Sequence, residues 1–273
     1  MKVFKTVAEV RAARAAVGEL GLAPTMGFLH AGHLSLVERA RAENPTVAAT
    51  IFVNPTQFGP NEDLARYPRN LPRDLALLEA AGCDLVFTPE PAEIYPSGFD
   101  TTVSVGGVTE GLEGAVRPGH FAGVATVVAK LFNIIQPTRA YFGQKDAQQS
   151  VVIRKMVRDL NMPVEVVIAP TVREPDGLAL SSRNSYLTPD QRARAPALFR
   201  ALSAAKTAFD AGERDAEALR AAMGRELAGF TIDYVSIADA ETLRELDRID
   251  GPALASLAAC LGTTRLIDNL PLN

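Results

Sequence analysis

This chain of 273 residues has no excess of basic charge, only two cysteines and no long apolar run. The formal net charge of −4 argues against non-specific nucleic-acid binding, which needs a basic surface. The two cysteines, Cys83 and Cys260, lie beside apolar residues and are predicted to be free thiols in a reducing compartment. No run approaches the roughly 18 apolar residues of a membrane span, and Met1–Thr6 lacks a signal core. We therefore expect a cytoplasmic protein that binds neither membranes nor nucleic acid.

The first two-thirds of the chain alternates apolar runs with helical patterns, which predicts an α/β fold. Candidate strands are Gly21–Thr25, Val47–Val53, Asp84–Thr88, Ala140–Phe142 and Val164–Ala169, and candidate helices are Leu34–Glu43, Leu71–Ala81, Phe121–Ile135 and Ala147–Leu160. Apolar runs without alternating charges predict a parallel sheet with helices on both faces. Such a sheet binds its ligands at the carboxyl ends of its strands, and His30, Asn54 and Gly143 each follow a strand.

The last hundred residues differ in texture and predict a second, small α+β domain. Thr188-Pro189-Asp190-Gln191 has the pattern of a capped helix start, and alanine-rich helical sequence follows to about Leu227 with a break at Gly212. Two strand-like runs, Thr231–Ile237 and Thr264–Ile267, come after the helices. We place the domain boundary between residues 172 and 173, giving domains 1–172 and 173–273. No internal repeat is apparent.

Two of the three histidines lie in one tetrapeptide, His30-Ala31-Gly32-His33, at a predicted strand-to-helix junction. Backbone N–H groups at a helix start attract anions, Gly32 permits a tight turn, and imidazoles donate hydrogen bonds to phosphoryl oxygens. The alternative is a metal pair, but metal-binding histidines on a helix favour the one-turn spacing of H-E-x-x-H, and no further ligand cluster is visible. The tetrapeptide therefore predicts a polyphosphate site.

Two motifs that follow strands each have a plain structural interpretation beside a functional one. The first motif is Asn54-Pro55-Thr56-Gln57, which by itself predicts a proline-containing turn. Its functional interpretation is that the turn places Gln57 against a substrate hydroxyl or carboxylate. Gly143-Gln144-Lys145-Asp146 is a tight turn with solvated charges, or a turn that presents Lys145 to phosphate.

Two further polar loops have the same ambiguity. Leu180-Ser181-Ser182-Arg183-Asn184 is unremarkable alone, but beside His-x-Gly-His it matches the second half of an adenylate-forming signature, in which hydroxyls and a guanidinium clamp pyrophosphate. Arg117-Pro118-Gly119-His120 is either an ordinary loop or a basic flap over the site.

Taken together, these motifs resemble the pantoate–β-alanine ligase family in order and spacing across essentially the whole chain. The matching segments are Pro24–His33, Phe52–Phe58, Phe142–Asp146, Leu180–Asn184 and the ending Gly262–Asn269. Two departures are small: Ala31 stands where Glu is more usual, and Gln144 stands where Lys or Glu is common.

The resemblance implies an enzyme of pantothenate biosynthesis, an AMP-forming carboxylate–amine ligase. Its reaction condenses pantoate with β-alanine through a pantoyl adenylate and releases AMP and pyrophosphate. It also implies a Rossmann-like first domain that binds nucleotide and pantoate, a small C-terminal lid over the intermediate, and a homodimer.

Residue roles follow from the same resemblance. His33 is the implied catalytic proton donor, with His30 and Lys145 stabilising phosphate charge. Gln57 and Gln149 are implied to bind pantoate, with Gln57 also near β-alanine. Mg²⁺ is implied to neutralise pyrophosphate; its ligands are undefined, with Asp74 as a candidate contact. The implied ATP site comprises Met26, Gly27, Phe28, Leu29, His30, Ala31, Gly32, His33, Gly143, Gln144, Lys145, Asp146, Val172, Leu180, Ser181, Ser182 and Arg183.

Three other functions remain as alternatives. Other nucleotidyltransferases share the His-x-Gly-His motif and expel pyrophosphate, but transfer a nucleotide to a phosphate. Class I aminoacyl-tRNA synthetases form acyl adenylates but need a basic surface or an added domain for tRNA. A non-catalytic module would bind ATP without turnover.

Overall fold

The computed structural model describes residues 1–60 and 62–273. The helices in these residues are α1 Val7–Ala15, α2 Ala31–Glu43, α3 Leu71–Ala80, α4 Pro91–Ile94, α5 Glu113–Val116, α6 His120–Ile135, α7 Ala147–Asp159, α8 Pro189–Arg194, α9 Ala197–Asp210 and α10 Ala216–Glu226. The strands are β1 Lys2–Phe4, β2 Leu20–Thr25, β3 Thr46–Ile51, β4 Leu85–Phe87, β5 Arg139–Gly143, β6 Glu165–Ala169, β7 Thr231–Asp239, β8 Ala253–Leu261 and β9 Thr264–Leu272. Among these helices, none is both long enough and apolar enough to span a bilayer.

A six-stranded parallel sheet forms the first part of the fold, in the order β1-β4-β3-β2-β5-β6. The five strands predicted from apolar runs are all present, and the predicted parallel α/β class is confirmed. The chain runs outward from β2 through β3 and β4 on one side, and from β5 to β6 on the other. The strand order therefore reverses between β2 and β5, which is where such sheets bind ligands.

The predictions missed β1 and α1 at the start of the chain. β1 is an edge strand with exposed residues, so it lacks the apolar run that marks the inner strands. α1 begins with a capping box, in which Thr6 Oγ1 accepts from the Glu9 N–H and the Glu9 carboxylate accepts from the Thr6 N–H. The Thr6-x-x-Glu9 spacing of this capping box is present in the sequence, so the start of α1 could have been predicted.

The second part of the fold is a three-stranded antiparallel sheet, β7-β8-β9, packed against helices. The predicted α+β character is confirmed, but β8 was missed because its run of alanine and leucine is buried throughout and shows no alternation. The predicted helical region after Thr188 contains three helices, α8, α9 and α10. The break at Gly212, between α9 and α10, was predicted, whereas the break at Pro196, between α8 and α9, was not. Leu198, Leu202 and Met223 pack with sheet residues in its core.

The chain forms two compact units, each built from separated segments. The first comprises Met1–Gly106, Arg117–Gly143 and Val152–Pro170, and the second comprises Gly107–Val116, Gln144–Val151 and Thr171–Asn273. The predicted boundary between residues 172 and 173 leaves the segments Gly107–Val116 and Gln144–Val151 in the first domain, whereas the structure groups both with the second unit. The assignment of 1–172 and 173–273 as functional domains stays a prediction.

The buried thiol of Cys83 is expected to make stability fall as the pH rises from 9 to 10. Burial raises the pKa of Cys83 to about 12, while its Sγ–H donates to the Leu85 carbonyl. The unfolded thiol loses its proton near 9 and the folded thiol keeps it, so the unfolded state binds fewer protons in this window. The slope should approach about 1.4 kcal/mol per pH unit. Urea unfolding of wild type and Cys83→Ala at pH 8, 9 and 10 measures it; parallel slopes for the two proteins would contradict the expectation.

Candidate active site

The His-x-Gly-His motif spans the junction between the β2–α2 loop and the first turn of α2. The turn of this loop is made by Gly27 at φ +82° and Phe28 at φ +49°, both in the left-handed region. The tight turn assigned to Gly32 was wrong: Gly32 lies inside the first turn of α2, which begins at Ala31 rather than Leu34. The helix starts three residues early because the His30 side chain caps it.

The two imidazoles cap the helix reciprocally, and this fixes where their protons lie. His30 Nδ1 accepts from the Gly32 N–H at 3.1 Å, and His33 Nδ1 accepts from the His30 N–H at 3.4 Å. Since Nδ1 is the acceptor in both rings, each neutral imidazole carries its proton on Nε2. The ring centroids are 4.0 Å apart. The pair therefore presents two Nε2–H donors from one helix start.

The backbone donors expected to face the phosphates are already used within the protein. The N–H groups of His33 and Leu34 donate to the His30 carbonyl at 2.8 and 3.1 Å, and the Gly32 N–H donates to His30. The expectation that these amides point outward to an anion is therefore wrong.

The Asn54–Gln57 motif is a turn that also orients a side chain. Asn54 is 1% exposed and caps a short 3₁₀ turn at Pro55–Gln57, and its Nδ2 donates to Gln57 Oε1 at 3.0 Å. Gln57 Nε2 in turn donates to Met26 Sδ at 3.4 Å. Gly123 permits close packing here, because a Cβ at that position would lie 2.4 Å from the Thr56 carbonyl. The turn interpretation is therefore confirmed, and the contact of Gln57 with a substrate stays a prediction.

Arg117 and His120 hold the backbone of Gln57. Arg117 Nη1 donates to His120 Nε2 at 3.1 Å, and since a guanidinium only donates, His120 carries its proton on Nδ1. That Nδ1–H donates to the Gln57 carbonyl at 2.9 Å. Arg117 also forms a bidentate pair with Glu62 at 2.8 and 2.6 Å. Residues 117–120 therefore contact the Gln57 turn. Neither sequence interpretation of these residues, an ordinary loop or a basic flap, predicted this contact.

The Lys145 turn is held by a residue on β9. Asn269 Nδ2 donates to the carbonyls of Gln144 and Lys145 at 2.9 and 2.8 Å, and its Oδ1 accepts from Gln144 Nε2 at 2.9 Å. Lys145 Nζ lies 3.6 Å from Asp146 Oδ1. A Cβ at Gly143, the last residue of β5, would meet nothing within 4 Å, so this strand end is open. Asn269 belongs to the segment Gly262–Asn269 that carries the family resemblance, and its contact with the Lys145 turn was not predicted.

The Val172 and Leu180–Arg183 segments lie together in the second unit. The Leu180 N–H donates to the Val172 carbonyl at 3.0 Å, and Ser181 Oγ accepts from the Arg183 N–H at 3.3 Å. Arg173 beside them forms a bidentate pair with Asp268 at 2.6 and 2.9 Å.

The two glutamines of α7 have different environments. Gln148 is buried and bonded to the 107–116 segment, with its Nε2 donating to the Val108 and Gly111 carbonyls and its Oε1 accepting from the Glu113 N–H. Gln149 is half-buried. Gln148 is therefore engaged within the protein, whereas the less buried Gln149 keeps its predicted role in binding a ligand as a prediction.

Known proteins with similar sequences and structures share one family. The model of the family described as pantoate-beta-alanine ligase matches residues 2–271. A pantothenate synthetase of Herpetosiphon aurantiacus is 67% identical over 99% of both chains. The structure of pantothenate synthetase from Thermus thermophilus matches with a TM-score of 0.95 at 55% identity, over 99% of both chains. That of a Francisella tularensis pantoate-beta-alanine ligase, complexed with beta-gamma ATP and beta-alanine, matches with a TM-score of 0.82 at 33% identity, over 99% of this chain and 97% of that one. This chain belongs to the pantoate–β-alanine ligase family of AMP-forming ligases.

Proposed function

We propose that this chain condenses pantoate with β-alanine to pantothenate while converting ATP to AMP and pyrophosphate. A pantoate carboxylate oxygen attacks the α-phosphorus, and the bond from that phosphorus to the pyrophosphate oxygen breaks. The β-alanine amine then attacks the acyl carbon, expels AMP and loses a proton. The paired Nε2–H imidazoles at the start of α2 carry the proposal, because they supply donors for a nucleotide's phosphates.

Each candidate residue takes a role that its chemistry supports. His33 donates a hydrogen bond from its Nε2–H to the departing phosphate oxygens, while His30 and Lys145 stabilise their charge. Because His33 Nδ1 accepts from the His30 N–H, the ring is neutral and acts as a hydrogen-bond donor rather than as the proton donor that the resemblance implies. The backbone and side chains of residues 26–33, 143–146, 172 and 180–183 bind ATP. The ATP and β-alanine in the Francisella complex support these ligand classes for this chain.

Gln57 and Gln149 are assigned to pantoate. Asn54 Nδ2 donates to Gln57 Oε1, which fixes the carboxamide orientation, and Gln57 Nε2 carries a second N–H besides the one that donates to Met26 Sδ. Neutral side-chain amides suit a ligand that carries both hydroxyls and a carboxylate. Their N–H groups can donate to the oxygen of either group, and the protein then needs no buried charged side chain at the site.

Pyrophosphate release decides between this function and its alternatives. We expect release from ATP and pantoate, and pantothenate and AMP after β-alanine is added. Release that depends instead on a phosphorylated acceptor would favour a nucleotidyltransferase. ATP binding without pyrophosphate would favour a non-catalytic module.

Magnesium is proposed as the ion that accompanies ATP. Mg²⁺ usually keeps several waters and binds substrate phosphates with one or two carboxylates. Across residues 1–60 and 62–273, no group of three or more His, Cys, Asp or Glu forms a protein cage for a metal. In this proposal the ion is bound mainly by the phosphates of ATP and would neutralise the pyrophosphate. Chelation by EDTA should abolish pyrophosphate release, and added Mg²⁺ should restore it.

A homodimer in the cytoplasm completes the proposal. Light scattering should give twice the chain mass of 29.1 kDa. A mass of one chain at micromolar concentration would contradict the dimer.

Replacing Gln57 with alanine is expected to raise KM for pantoate about ten- to hundredfold, the range for losing a hydrogen bond to a charged ligand. KM for ATP, measured in the same pantoate-dependent exchange of pyrophosphate into ATP, should stay within about twofold and serves as the internal control. An unchanged KM for pantoate with full activity would remove Gln57 from the pantoate site.

A further inference from the structure

Asp74 is a buried carboxylate in the first turn of α3, and the reaction as proposed gives it no role beyond a candidate magnesium contact. It is 1% exposed, and each of its oxygens accepts a backbone N–H. Oδ2 accepts from Phe28 at 2.7 Å and Oδ1 accepts from Leu29 at 2.8 Å. These distances are typical of strong hydrogen bonds to an ionised acceptor. Both oxygens are thus directed at the loop that precedes His30.

That loop needs an external support because its backbone conformation is unfavourable. Phe28 adopts φ +49°, a left-handed value that side chains with a Cβ rarely adopt and that persists only where the surroundings fix it. Neither the Phe28 nor the Leu29 N–H enters a strand or helix ladder. Asp74 supplies acceptors for both donors.

The neighbouring side chains hold the same loop from other directions. Arg73 Nη1 donates to the Leu29 carbonyl at 3.0 Å, and its guanidinium lies over the Phe28 ring at 5.6 Å. The Gly27 N–H donates to Thr25 Oγ1 at 3.2 Å. A Cβ at Gly27 would come within 3.1 Å of Asp74 Oδ2, so the loop lies directly against the carboxylate.

We propose that Asp74 is a positioning residue for adenylate formation: its carboxylate fixes residues 27–29, so that His30 and His33 present their Nε2–H donors to the ATP phosphates, and it is not a ligand of magnesium. The inference rests on the proposed function for its catalytic consequence, while the contacts to the loop stand independently. A displacement of about 1 Å in a reacting group costs on the order of a hundredfold in rate, so a loose loop is expected to slow the reaction.

The test compares Asp74→Asn and Asp74→Ala with Glu79→Gln, a matched carboxylate variant near the other end of α3. Hydrogen–deuterium exchange of the peptide covering residues 26–34 should accelerate at least about tenfold in both Asp74 variants and not in the control. Pantoate-dependent exchange of pyrophosphate into ATP should show kcat lowered about tenfold or more and KM for ATP raised about fivefold. The Mg²⁺ concentration for half activation should stay within about twofold.

Two patterns would overturn the proposal. A tenfold higher Mg²⁺ requirement with unchanged exchange at residues 26–34 would make Asp74 a metal ligand. A lower melting temperature with unchanged KM for ATP, and with activity restored on cooling, would make it a general structural residue.

Arg73→Met keeps the test decisive if the Asp74 variants do not fold, because it removes the bond to the Leu29 carbonyl and keeps the Asp74 carboxylate with its two backbone donors. It also removes the ion pair between Arg73 Nη1 and Asp74 Oδ1 at 3.7 Å. It should raise KM for ATP by about two- to fivefold, and an unaltered KM with unchanged exchange of residues 26–34 would count against the proposal. Failure of the proposed function is distinguishable: wild type would then release no pantoate-dependent pyrophosphate, while hydrogen exchange would still report the loop contacts.

Discussion

Replacing His33 with alanine is expected to slow adenylate formation by about two to three orders of magnitude, the scale for losing a hydrogen-bond donor that stabilises developing charge. The ring carries its proton on Nε2, because Nδ1 accepts from the His30 N–H. Single-turnover formation of pyrophosphate from ATP and pantoate, with β-alanine omitted, measures this step directly.

Two further variants separate the catalytic part of His33 from its capping part. Asparagine places an acceptor near the position of Nδ1 and lacks a donor at Nε2, whereas glutamine places an N–H near Nε2. His33→Asn should therefore unfold at nearly the wild-type temperature yet react as slowly as His33→Ala, and His33→Gln should recover part of the rate. Near-normal turnover in the alanine variant would remove His33 from its assigned role.

Replacing Arg173 with alanine is expected to lower the free energy of unfolding by about 3–5 kcal/mol, because it leaves the Asp268 carboxylate buried and unpaired. Asp268 is only 2% exposed at its side chain, and Arg173 bonds it through both guanidinium nitrogens at 2.6 and 2.9 Å. The guanidinium also lies over the Phe199 ring at 4.2 Å, so packing is lost along with charge. Urea denaturation followed by circular dichroism measures the change.

Arg192→Ala is the matched control in the same unit. Arg192 pairs with Asp176 at 2.6 Å, but both side chains are well exposed to solvent, and such pairs contribute about 0–1 kcal/mol. Combining Arg173→Ala with Asp268→Asn should destabilise less than the sum of the two single changes, since the charge left unpaired is removed. Equal losses for Arg173→Ala and Arg192→Ala would show that burial of the Asp268 pair has no special effect.

The parallel sheet was predictable from the sequence because its inner strands are buried on both faces. Val47–Val53 is an apolar run without charge alternation and became the inner strand β3, with shifts of one and two residues at its ends. Val164–Ala169 became β6, a partly buried edge strand that its apolar run was still sufficient to predict, with a shift of one residue at its start. β8 is buried like β3 but is rich in alanine, which favours helix by intrinsic propensity, and only its pairing with β7 and β9 makes it a strand.

The candidate site was predictable where chemistry lies within one short motif, and not where it depends on partners distant in sequence. His30 and His33 could be found by their spacing in the sequence. The hydrogen bonds by which each imidazole accepts a backbone N–H at the start of α2 could not, because imidazole is an uncommon N-cap. Asp74 and Asn269 act on loops far from them along the chain. Nothing in their local sequence says which carbonyl or N–H they will meet.

The bond between Asn269 and the Lys145 carbonyl has a consequence for how the protein matures. The two residues are 124 positions apart, and the partner lies on β9, the last strand of its sheet. Closing so long a loop is slow compared with forming local structure. On the ribosome, the Lys145 turn should therefore be fixed only after β9 has left the exit tunnel and paired with β8, long after the parallel sheet is able to assemble. With the proposed role of Lys145, competence to bind ATP would emerge at that late stage.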